Sequence, residues 1–175
     1  MGKVVDYNGM EVPVGTHEDR LIVIGADHRG FRYKRAVIEK LGSQYNVIDI
    51  GTNSSERCDY PLISNELGRR MSKDLLKRVG IGICGSGIGM LIPASKHRGV
   101  YAARCLNPKE AETSRKHNNT NLLGIGADYM DLDTALETIY TWLTTPFYSD
   151  PEKEEAYFRR FVQTMELEAK ASRIE

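Results

Sequence analysis

The sequence has no excess of charge of either sign. Lys plus Arg number 24 and Asp plus Glu number 24, so the formal net charge is zero. A chain without a global positive field lacks the electrostatics by which proteins hold nucleic-acid backbones or anionic membranes. We therefore expect neither a nucleic acid nor a membrane as a partner, and any anion site must be local.

Cysteine is scarce, and long apolar runs are absent. The three cysteines, Cys58, Cys84 and Cys105, show no C-x-x-C spacing, which argues against a disulfide framework and a cysteine-rich zinc site. No apolar run approaches the roughly 20 residues of a membrane span. Residues 1–20 are polar and lack the apolar core of a signal peptide. These features predict a cytoplasmic protein.

What is present is a globular composition and a repeating pattern. Residues 1–20 contain glycine and proline without a sustained period and are expected to form an irregular arm. From residue 21, short apolar runs alternate with turns and stretches at helical spacing, which is typical of βαβ units. We predict one domain over residues 21–175, built on a Rossmann-like, doubly wound, five-stranded parallel sheet with helices on both faces and a C-terminal helix.

The predicted strands determine where a ligand is expected. They cover residues 21–24, 47–50, 79–84, 100–103 and 122–125. Ligands of open parallel sheets bind beyond the carboxyl ends of the strands. Polar residues directly after the strands are therefore the candidates for a site.

The strongest candidate is the glycine-rich turn after the third predicted strand. Gly85, Gly87 and Gly89 permit positive φ angles and present successive backbone N–H groups, which can form a nest for an anion. Cys84 ends the strand, where the N-terminus of a following helix, expected to continue to about His97, favours a thiolate. The alternative is a buried structural cysteine on a tight turn.

The same stretch also contains a dinucleotide-binding pattern. Residues 80–85 match G-x-G-x-x-G. This fingerprint belongs between a strand and a helix, whereas most of the match lies inside the third predicted strand. It therefore gives little support to NAD binding.

Two further groups follow predicted elements. Asp27 and His28 come after the first strand, and a carboxylate beside an imidazole can move protons or hold a sugar hydroxyl. The alternative is that Asp27 caps the following helix while His28 faces solvent. His117 and Asn118 end the fourth predicted helix, where a cation ordinarily compensates the helix dipole.

The residue types do not decide the chemistry. A cysteine, an Asp–His pair, a second histidine and a glycine nest suit aldose–ketose isomerisation through an enediolate. They suit acyl transfer equally well. His17 and His97 have no such partners in the sequence and are expected at the surface.

Four separated motifs resemble those of the ribose-5-phosphate isomerase B family, which includes galactose-6-phosphate isomerase subunits. They are GADHRGF at 25–31, GTNSSERCDYP at 51–61, ICGSGIG at 83–89 and SRKHNNTN at 114–121. The resemblance extends from about residue 21 to residue 143. Four motifs in order are far more specific than one glycine loop.

The resemblance implies a cofactor-free and metal-free isomerase of a small sugar phosphate, of the ribose 5-phosphate type. It implies a homodimer or homotetramer whose active sites are shared between subunits. Cys84 matches the base that moves a proton between C1 and C2, because Met90 stands where other members carry Glu. Ser86 matches a hydroxyl that supports the enediolate together with the backbone of residues 85–89.

Other roles follow from the same resemblance. Asp27 and His117 match the pair associated with ring opening. His28, Tyr60 and Asn118 match substrate contacts. The retention of a base and a ring-opening group argues against the alternative of a non-catalytic sugar-binding or regulatory relative.

The sequence departs from the family at the phosphate-binding arginines. Asp128 occupies the position where members carry an arginine after the last strand, and Ala156 lies four residues before Arg160. Arg159 or Arg160 of a neighbouring subunit remains a candidate phosphate ligand, assisted by Arg29 or Arg115. The departure leaves open a tetrose phosphate, a hexose phosphate or an unphosphorylated sugar as substrate, and predicts low activity on ribose 5-phosphate.

The C-terminal helix supplies a second argument for an oligomer. Its apolar residues are spaced to cover another surface, here expected to be a second subunit. These residues are Tyr157, Phe158, Phe161, Val162 and Met165.

Overall fold

The structure, a computed structural model, describes residues 3–148 and 150–171. Its central element is a parallel sheet of five strands: β3 (Leu21–Ala26), β4 (Val47–Asp49), β5 (Arg78–Cys84), β6 (Ala102–Arg104) and β7 (Leu122–Gly126). The strand order is β4-β3-β5-β7-β6. The expected doubly wound parallel sheet is confirmed, with β5 at its centre.

Helices cover both faces of the sheet, as expected. They are α1 (Phe31–Leu41), α2 (Tyr60–Ser72), α3 (Leu91–Ala94), α4 (Pro108–Asn118), α5 (Leu132–Thr144) and the C-terminal α6 (Pro151–Ala171). Successive side chains of a strand point to opposite faces. Ile22, Ile24, Ile81 and Ile83 accordingly form one core with α1, α4 and α5, around the fully buried Trp142.

The opposite face of the sheet carries glycines, which let α2 and the loop after β5 approach closely. A Cβ at Gly80 would lie 2.3 Å from the Met71 Sδ, and one at Gly82 would lie 2.9 Å from the Met90 Cβ. A side chain at either position would therefore force these neighbours to move. The glycines of the apparent dinucleotide fingerprint therefore serve packing inside β5.

The N-terminal segment is a β-hairpin, so the expectation of an irregular arm is wrong. β1 (Lys3–Tyr7) pairs antiparallel with β2 (Met10–Val14). Asn8 and Gly9 form the turn with φ of 53° and 80°, the left-handed values that a two-residue hairpin turn requires. Gly15 then pairs with Phe147, which ties the hairpin to the segment before α6.

The hairpin covers the apolar face of α6. Phe158, Phe161 and Val162 are buried in one cluster with Val12 and Phe147 of the same chain. The expectation that these side chains form an open oligomer surface is therefore wrong, because the hairpin already covers them. None of the helices in the described ranges is long and apolar enough to cross a membrane.

Two elements after the glycine loop differ from expectation. Only Leu91–Ala94 is α-helical, whereas a helix to about His97 was expected. Lys96 and His97 donate to carbonyls three residues earlier, so the chain tightens into turns instead of continuing the helix. The next strand then begins at Ala102 instead of residue 100. A helix of one turn has only a small dipole, so it does little to favour a thiolate at Cys84.

Candidate active site

The first group of candidate residues gathers where β3 and β5 end side by side. From β3 the chain continues to β4 on one side and later to β5 on the other, which makes this a topological switch point. Asp27 and His28 follow β3, and Cys84 ends β5. The Asp27 N–H donates to the Ile83 carbonyl at 3.2 Å, so the two strand ends are in direct contact.

Cys84 and Ser86 face each other across the start of the glycine loop. Cys84 is 3% exposed, and its Sγ lies 4.0 Å from the Ser86 Oγ. The Ser86 Oγ accepts from the Ile88 N–H at 3.2 Å. This bond fixes the hydroxyl oxygen and leaves its proton to donate to the Cys84 sulfur or to a ligand.

The glycine loop lies tightly against β7. Gly87 has a φ of 73°, and a Cβ there would lie 2.8 Å from the Gly126 N. The backbone N–H groups of Gly85, Ser86, Gly87 and Gly89 donate to no acceptor in the part of the chain that the structure describes. Successive free donors of this kind can bind an anion, which is the role that the sequence leads us to expect of this loop.

Asp27 is held by the turn that enters α1. Its Oδ1 accepts from the N–H groups of Arg29 and Gly30 at 2.9 and 3.1 Å. The carboxylate therefore holds the backbone of residues 28–30 in a turn directly before α1, which starts at Phe31. This is similar to the helix-capping role that the sequence offers as an alternative for Asp27. One of its two oxygens is thereby committed to structure.

His28 and Tyr60 lie at one side of this first group of candidate residues. The His28 Nδ1 lies 3.2 Å from the carbonyl oxygen and 3.3 Å from the nitrogen of Cys58, which orients the ring toward the loop before α2. A Cβ at Gly89 would lie 3.3 Å from three ring carbons of Tyr60. The Tyr60 ring therefore covers the glycine loop, while 38% of the residue remains exposed.

The second group of candidate residues surrounds a cavity of about 640 Å³ between β6, the end of α4 and α6. His117, Asn118 and Arg160 line it, together with Tyr157. The rings of His117 and Tyr157 stack at 4.0 Å with an interplanar angle of 10°. Arg159 is exposed and does not contribute to this lining.

The two groups lie apart within one chain. Asp27 and Cys84 follow strand ends and do not line the His117 cavity. α4 ends just before β7 begins at Leu122, whereas Cys84 pairs with Gly126 at the far end of that strand. Four residues of strand span about 13 Å at about 3.3 Å per residue. The expected pair of Asp27 and His117 is therefore not assembled within one chain.

Asp128 forms an ion pair with Arg29 beside the glycine loop. Its Oδ2 accepts from Arg29 Nη2 at 2.6 Å and from Nε at 2.9 Å. Hydrogen bonding to Asp128 raises the pKa of Arg29. A Cβ at Gly85 would lie 2.5 Å from the same Asp128 oxygen, so the pair rests on the loop. The negative charge that Asp128 places where family members carry an arginine is thus neutralised by a neighbouring cation.

Arg115 has no access to a ligand. It is fully buried and donates to the carbonyls of Gly15, Thr120 and Thr145 and to the Asn119 side chain. Desolvation by burial lowers its pKa. Its suggested role in holding a phosphate is wrong, because its donors join the hairpin to the core.

The expected surface position of His17 is also wrong. His17 is fully buried, with its ring edge-on to Trp142 at 4.6 Å and its Nε2 3.0 Å from the Thr120 carbonyl oxygen. Burial, followed by the charges of Arg115 and Arg20, holds the pKa of His17 well below its ordinary value. His97 is half-buried and contacts the Asn65 side chain at 2.9 Å.

The contact of Tyr157 with His117 could not be foreseen from local sequence. Its ring stacks on a residue 40 positions earlier in the chain, and the helical spacing of α6 indicates only an apolar position.

No group of three or more potential metal-ligating side chains is found within residues 3–148 and 150–171.

Comparison with known proteins identifies the family. Residues 22–157 match a family model described as Ribose/Galactose Isomerase. The chain belongs to the ribose/galactose isomerase family. The expected enzyme class, an aldose–ketose isomerase, is thereby confirmed. The chain is 38% identical over 123 residues to ribose-5-phosphate isomerase B of Escherichia coli, which covers 70% of this chain and 82% of that protein.

Solved structures of the family share this fold. The ribose-5-phosphate isomerase B of Clostridium thermocellum is 36% identical with a TM-score of 0.78, covering 86% of this chain and 99% of that chain. The enzyme of Mycoplasma genitalium, solved with bound ribulose-5-phosphate, is 29% identical with a TM-score of 0.79 and covers 87% of this chain and 99% of that chain. These similarities extend beyond the four motifs to the whole sheet.

Proposed function

We propose that this isomerase interconverts a phosphorylated pentose of the ribose 5-phosphate type with its ketose, using Cys84 as the base. The observation that carries the proposal is the placement of the Cys84 thiol beside Ser86 and the N–H groups of the glycine loop, at the switch point of the sheet. The E. coli and M. genitalium relatives named for ribose 5-phosphate chemistry support the choice of substrate.

In the proposed mechanism each residue has one part in the proton transfer. The Cys84 thiolate removes the proton from C2 of the open-chain aldose, and the electron pair moves to the carbonyl oxygen on C1. The resulting enediolate receives hydrogen bonds from the Ser86 hydroxyl and the loop N–H groups. The same thiol returns the proton to C1 while the proton of the C2 hydroxyl is transferred to the oxygen on C1, which yields the ketose. No outside oxidant or reductant is required.

Ring opening is assigned to His117, and it requires a second copy of the chain. His117 does not reach the Cys84 group within one chain, whereas a partner subunit can bring its His117 cavity against that group. Asn118 and Arg160 of the same cavity then supply polar contacts, with Arg160 as the candidate phosphate ligand. The proposed active unit is therefore a homodimer, or a tetramer of such dimers.

A second candidate is an isomerase of a different sugar. Asp128 and Arg29 form a neutral pair where family members carry a phosphate-binding arginine, so this rim offers a phosphate less attraction than a free arginine does. The second candidate therefore acts on a tetrose phosphate, a hexose phosphate or an unphosphorylated sugar.

A substrate panel separates the two candidates. Aldose and ketose phosphates of four, five and six carbons are assayed for interconversion, together with their dephosphorylated forms. We expect the highest kcat/KM with a phosphorylated pentose. A higher value with a hexose phosphate or a free sugar favours the second candidate.

The Cys84→Ala variant tests the assignment of the base. Loss of a general base lowers kcat by about a hundredfold or more, with circular dichroism unchanged. The matched control is Cys105→Ala, which removes a buried thiol from the opposite face of the sheet. Near wild-type turnover of Cys84→Ala would show that another group acts as the base.

A further inference from the structure

Arg104 lies at the carboxyl end of the edge strand β6 and keeps part of its guanidinium open. The residue is half-buried. Its Nε is buried without a hydrogen-bond partner among residues 3–148 and 150–171, so this nitrogen is closed to a ligand. Nη1 and Nη2 are not buried in this way, and they donate to no acceptor in the same ranges. These two nitrogens are therefore free to meet an anion from solvent.

The ring of Tyr129 holds the guanidinium of Arg104 without neutralising it. The Arg104 Cζ lies 4.8 Å from the centroid of this ring, which is a cation–π contact. Glu110 lines a shallow cavity together with Arg104, but its carboxylate accepts from the Leu106 N–H at 2.7 Å and the Asn107 side chain at 3.2 Å. Within the part of the chain that the structure describes, Arg104 forms no ion pair. It therefore presents a positioned and unpaired positive charge.

The side chain of Arg104 lies on the face of the sheet that carries the glycine loop. Arg104 pairs in register with Gly124 of β7, and register neighbours in a parallel sheet point their side chains to the same face. A Cβ at Gly124 would lie 2.4 Å from the Gly87 carbonyl oxygen and 2.7 Å from the Leu91 Cδ1. Ala102, two residues before Arg104, also packs against the core cluster on this face. Arg104 therefore flanks the glycine loop.

Cys84 flanks the same loop from the other side. It pairs with Gly126 of β7, so it is two strands and two residues away from Arg104. At about 4.8 Å between strands and about 3.3 Å per residue, the two Cα atoms lie about 12 Å apart. The contact with Tyr129, which follows β7, brings the guanidinium toward the carboxyl edge of the sheet, where ligands of open parallel sheets bind. A sugar phosphate that reacts at Cys84 and extends over the loop therefore ends near Arg104.

We propose that Arg104 binds the phosphate of the substrate through Nη1 and Nη2 and so selects a phosphorylated sugar. The inference rests on the proposed function, in which C1 and C2 react at Cys84, because a pentose 5-phosphate carries its phosphate at the far end of the sugar. A guanidinium forms charge-assisted hydrogen bonds with phosphate oxygens. Arg160 reaches this site only from a second copy of the chain, whereas Arg104 belongs to the same chain as Cys84. Arg104 is therefore a phosphate ligand that does not depend on the partner.

Isothermal titration calorimetry with inorganic phosphate tests the site independently of any sugar. We expect the wild type to bind phosphate saturably at millimolar concentration. Arg104→Met removes the charge and keeps much of the side-chain volume, and we expect the affinity to fall at least about tenfold. Arg104→Lys retains the charge and is expected to recover part of the loss. Absence of saturable binding by the wild type, or equal affinity in Arg104→Met, overturns the proposal.

Steady-state kinetics separate the role of Arg104 from the proposed function. With ribose 5-phosphate, Arg104→Met is expected to raise KM at least about tenfold and to leave kcat within about twofold, because phosphate binding is equal in the ground and transition states. Efficient turnover of ribose 5-phosphate with an unchanged KM in Arg104→Met refutes the role of Arg104 alone. A wild type that isomerises only a hexose phosphate or a free sugar refutes the proposed substrate, and the phosphate titration then still decides the role of Arg104.

Arg35→Met is the matched control. Arg35 is an exposed arginine of α1 whose Cζ lies 6.0 Å from the centroid of the Phe31 ring. Its replacement removes the same charge and is expected to leave phosphate affinity and KM unchanged. Equal losses in Arg35→Met and Arg104→Met show a general effect of net charge and contradict the assignment.

Tyr129→Leu provides the test if Arg104→Met does not fold. This variant retains Arg104 but removes the ring that positions its guanidinium, so we expect weaker phosphate binding than in the wild type. Tyr129→Phe retains the ring and is expected to bind phosphate normally. Wild-type affinity in Tyr129→Leu, with circular dichroism unchanged, contradicts the proposal.

Discussion

Arg29 and Asp128 join two loops over the start of the glycine loop, with Arg29 Nη2 2.6 Å from Asp128 Oδ2. The two side chains are 56% and 39% exposed, so the pair contributes little to stability. The pair instead affects the electrostatic potential beside the glycine loop. Each charge cancels the other beside the glycine loop, so repulsion of an anion by Asp128 is weaker than the sequence alone suggests.

Neutralising Asp128 is expected to release the cation beside it. Asp128→Asn leaves Arg29 without its carboxylate and raises the positive potential at the rim. The KM for ribose 5-phosphate is expected to fall several-fold with kcat little changed, because added phosphate binding is equal in the ground and transition states. Steady-state kinetics measure the effect.

The double variant provides the control for Asp128→Asn. Arg29→Gln combined with Asp128→Asn removes the released cation and is expected to reverse the gain in KM. An unchanged KM in Asp128→Asn contradicts the idea that this pair sets the potential at the rim.

Mixing two inactive variants tests the shared site. Cys84→Ala and His117→Ala are each expected to lose most activity. In mixed dimers one of the two sites combines an intact Cys84 with an intact partner His117, so random subunit exchange restores about a quarter of wild-type activity. Co-expression with two affinity tags isolates the mixed dimers, which are expected to reach about half of wild-type activity because one of their two sites is intact. Activity no greater than that of the separate variants shows that the residues act within one chain.

Tyr157 is expected to position His117. Stacked rings at 4.0 Å restrict the orientation of the imidazole. Tyr157→Leu removes the ring and is expected to lower kcat about tenfold, while Tyr157→Phe retains stacking and activity. The pH profile of kcat in the two variants distinguishes positioning from a loss of stability, since only a misplaced His117 alters it. Equal losses in both variants point instead to the hydroxyl.

His17 is expected to make stability depend on pH. The folded chain holds His17 neutral, whereas the unfolded chain protonates it near its ordinary pKa of about 6.5. As pH falls below that value, the unfolded state binds more protons, so the free energy of unfolding decreases by up to about 1.4 kcal/mol per pH unit. The loss continues until the depressed folded-state pKa is reached.

Urea unfolding at several pH values, followed by the fluorescence of the single tryptophan Trp142, measures this dependence. His17→Gln retains a donor for the Thr120 carbonyl without a titrating ring. We expect a shallower slope below about pH 6.5 in this variant than in the wild type. Parallel slopes contradict the contribution of His17.

The N-terminal hairpin was not expected, although the sequence contains a signal for it. Asn8 and Gly9 form the dipeptide most typical of a two-residue hairpin turn, and both adopt the positive φ that this turn needs. The lack of a sustained period over residues 1–20 predicts an irregular arm, but this local turn signal outweighs it. The sequence correctly predicts that Cys84 ends a strand and that Ser86 and the glycine loop follow it. These positions depend only on the turn after one strand.

By itself the sequence determined the βαβ order and the residues that follow each strand, because apolar periodicity and turn residues act over neighbouring positions. Only the tertiary structure decided which long-range partners those residues meet. Arg115 and His17 are polar, yet both are buried because the hairpin and Trp142 close over them. Arg29 meets Asp128 across 99 positions. Burial and charge pairing of this kind depend on the packing of distant segments, which local pattern does not encode.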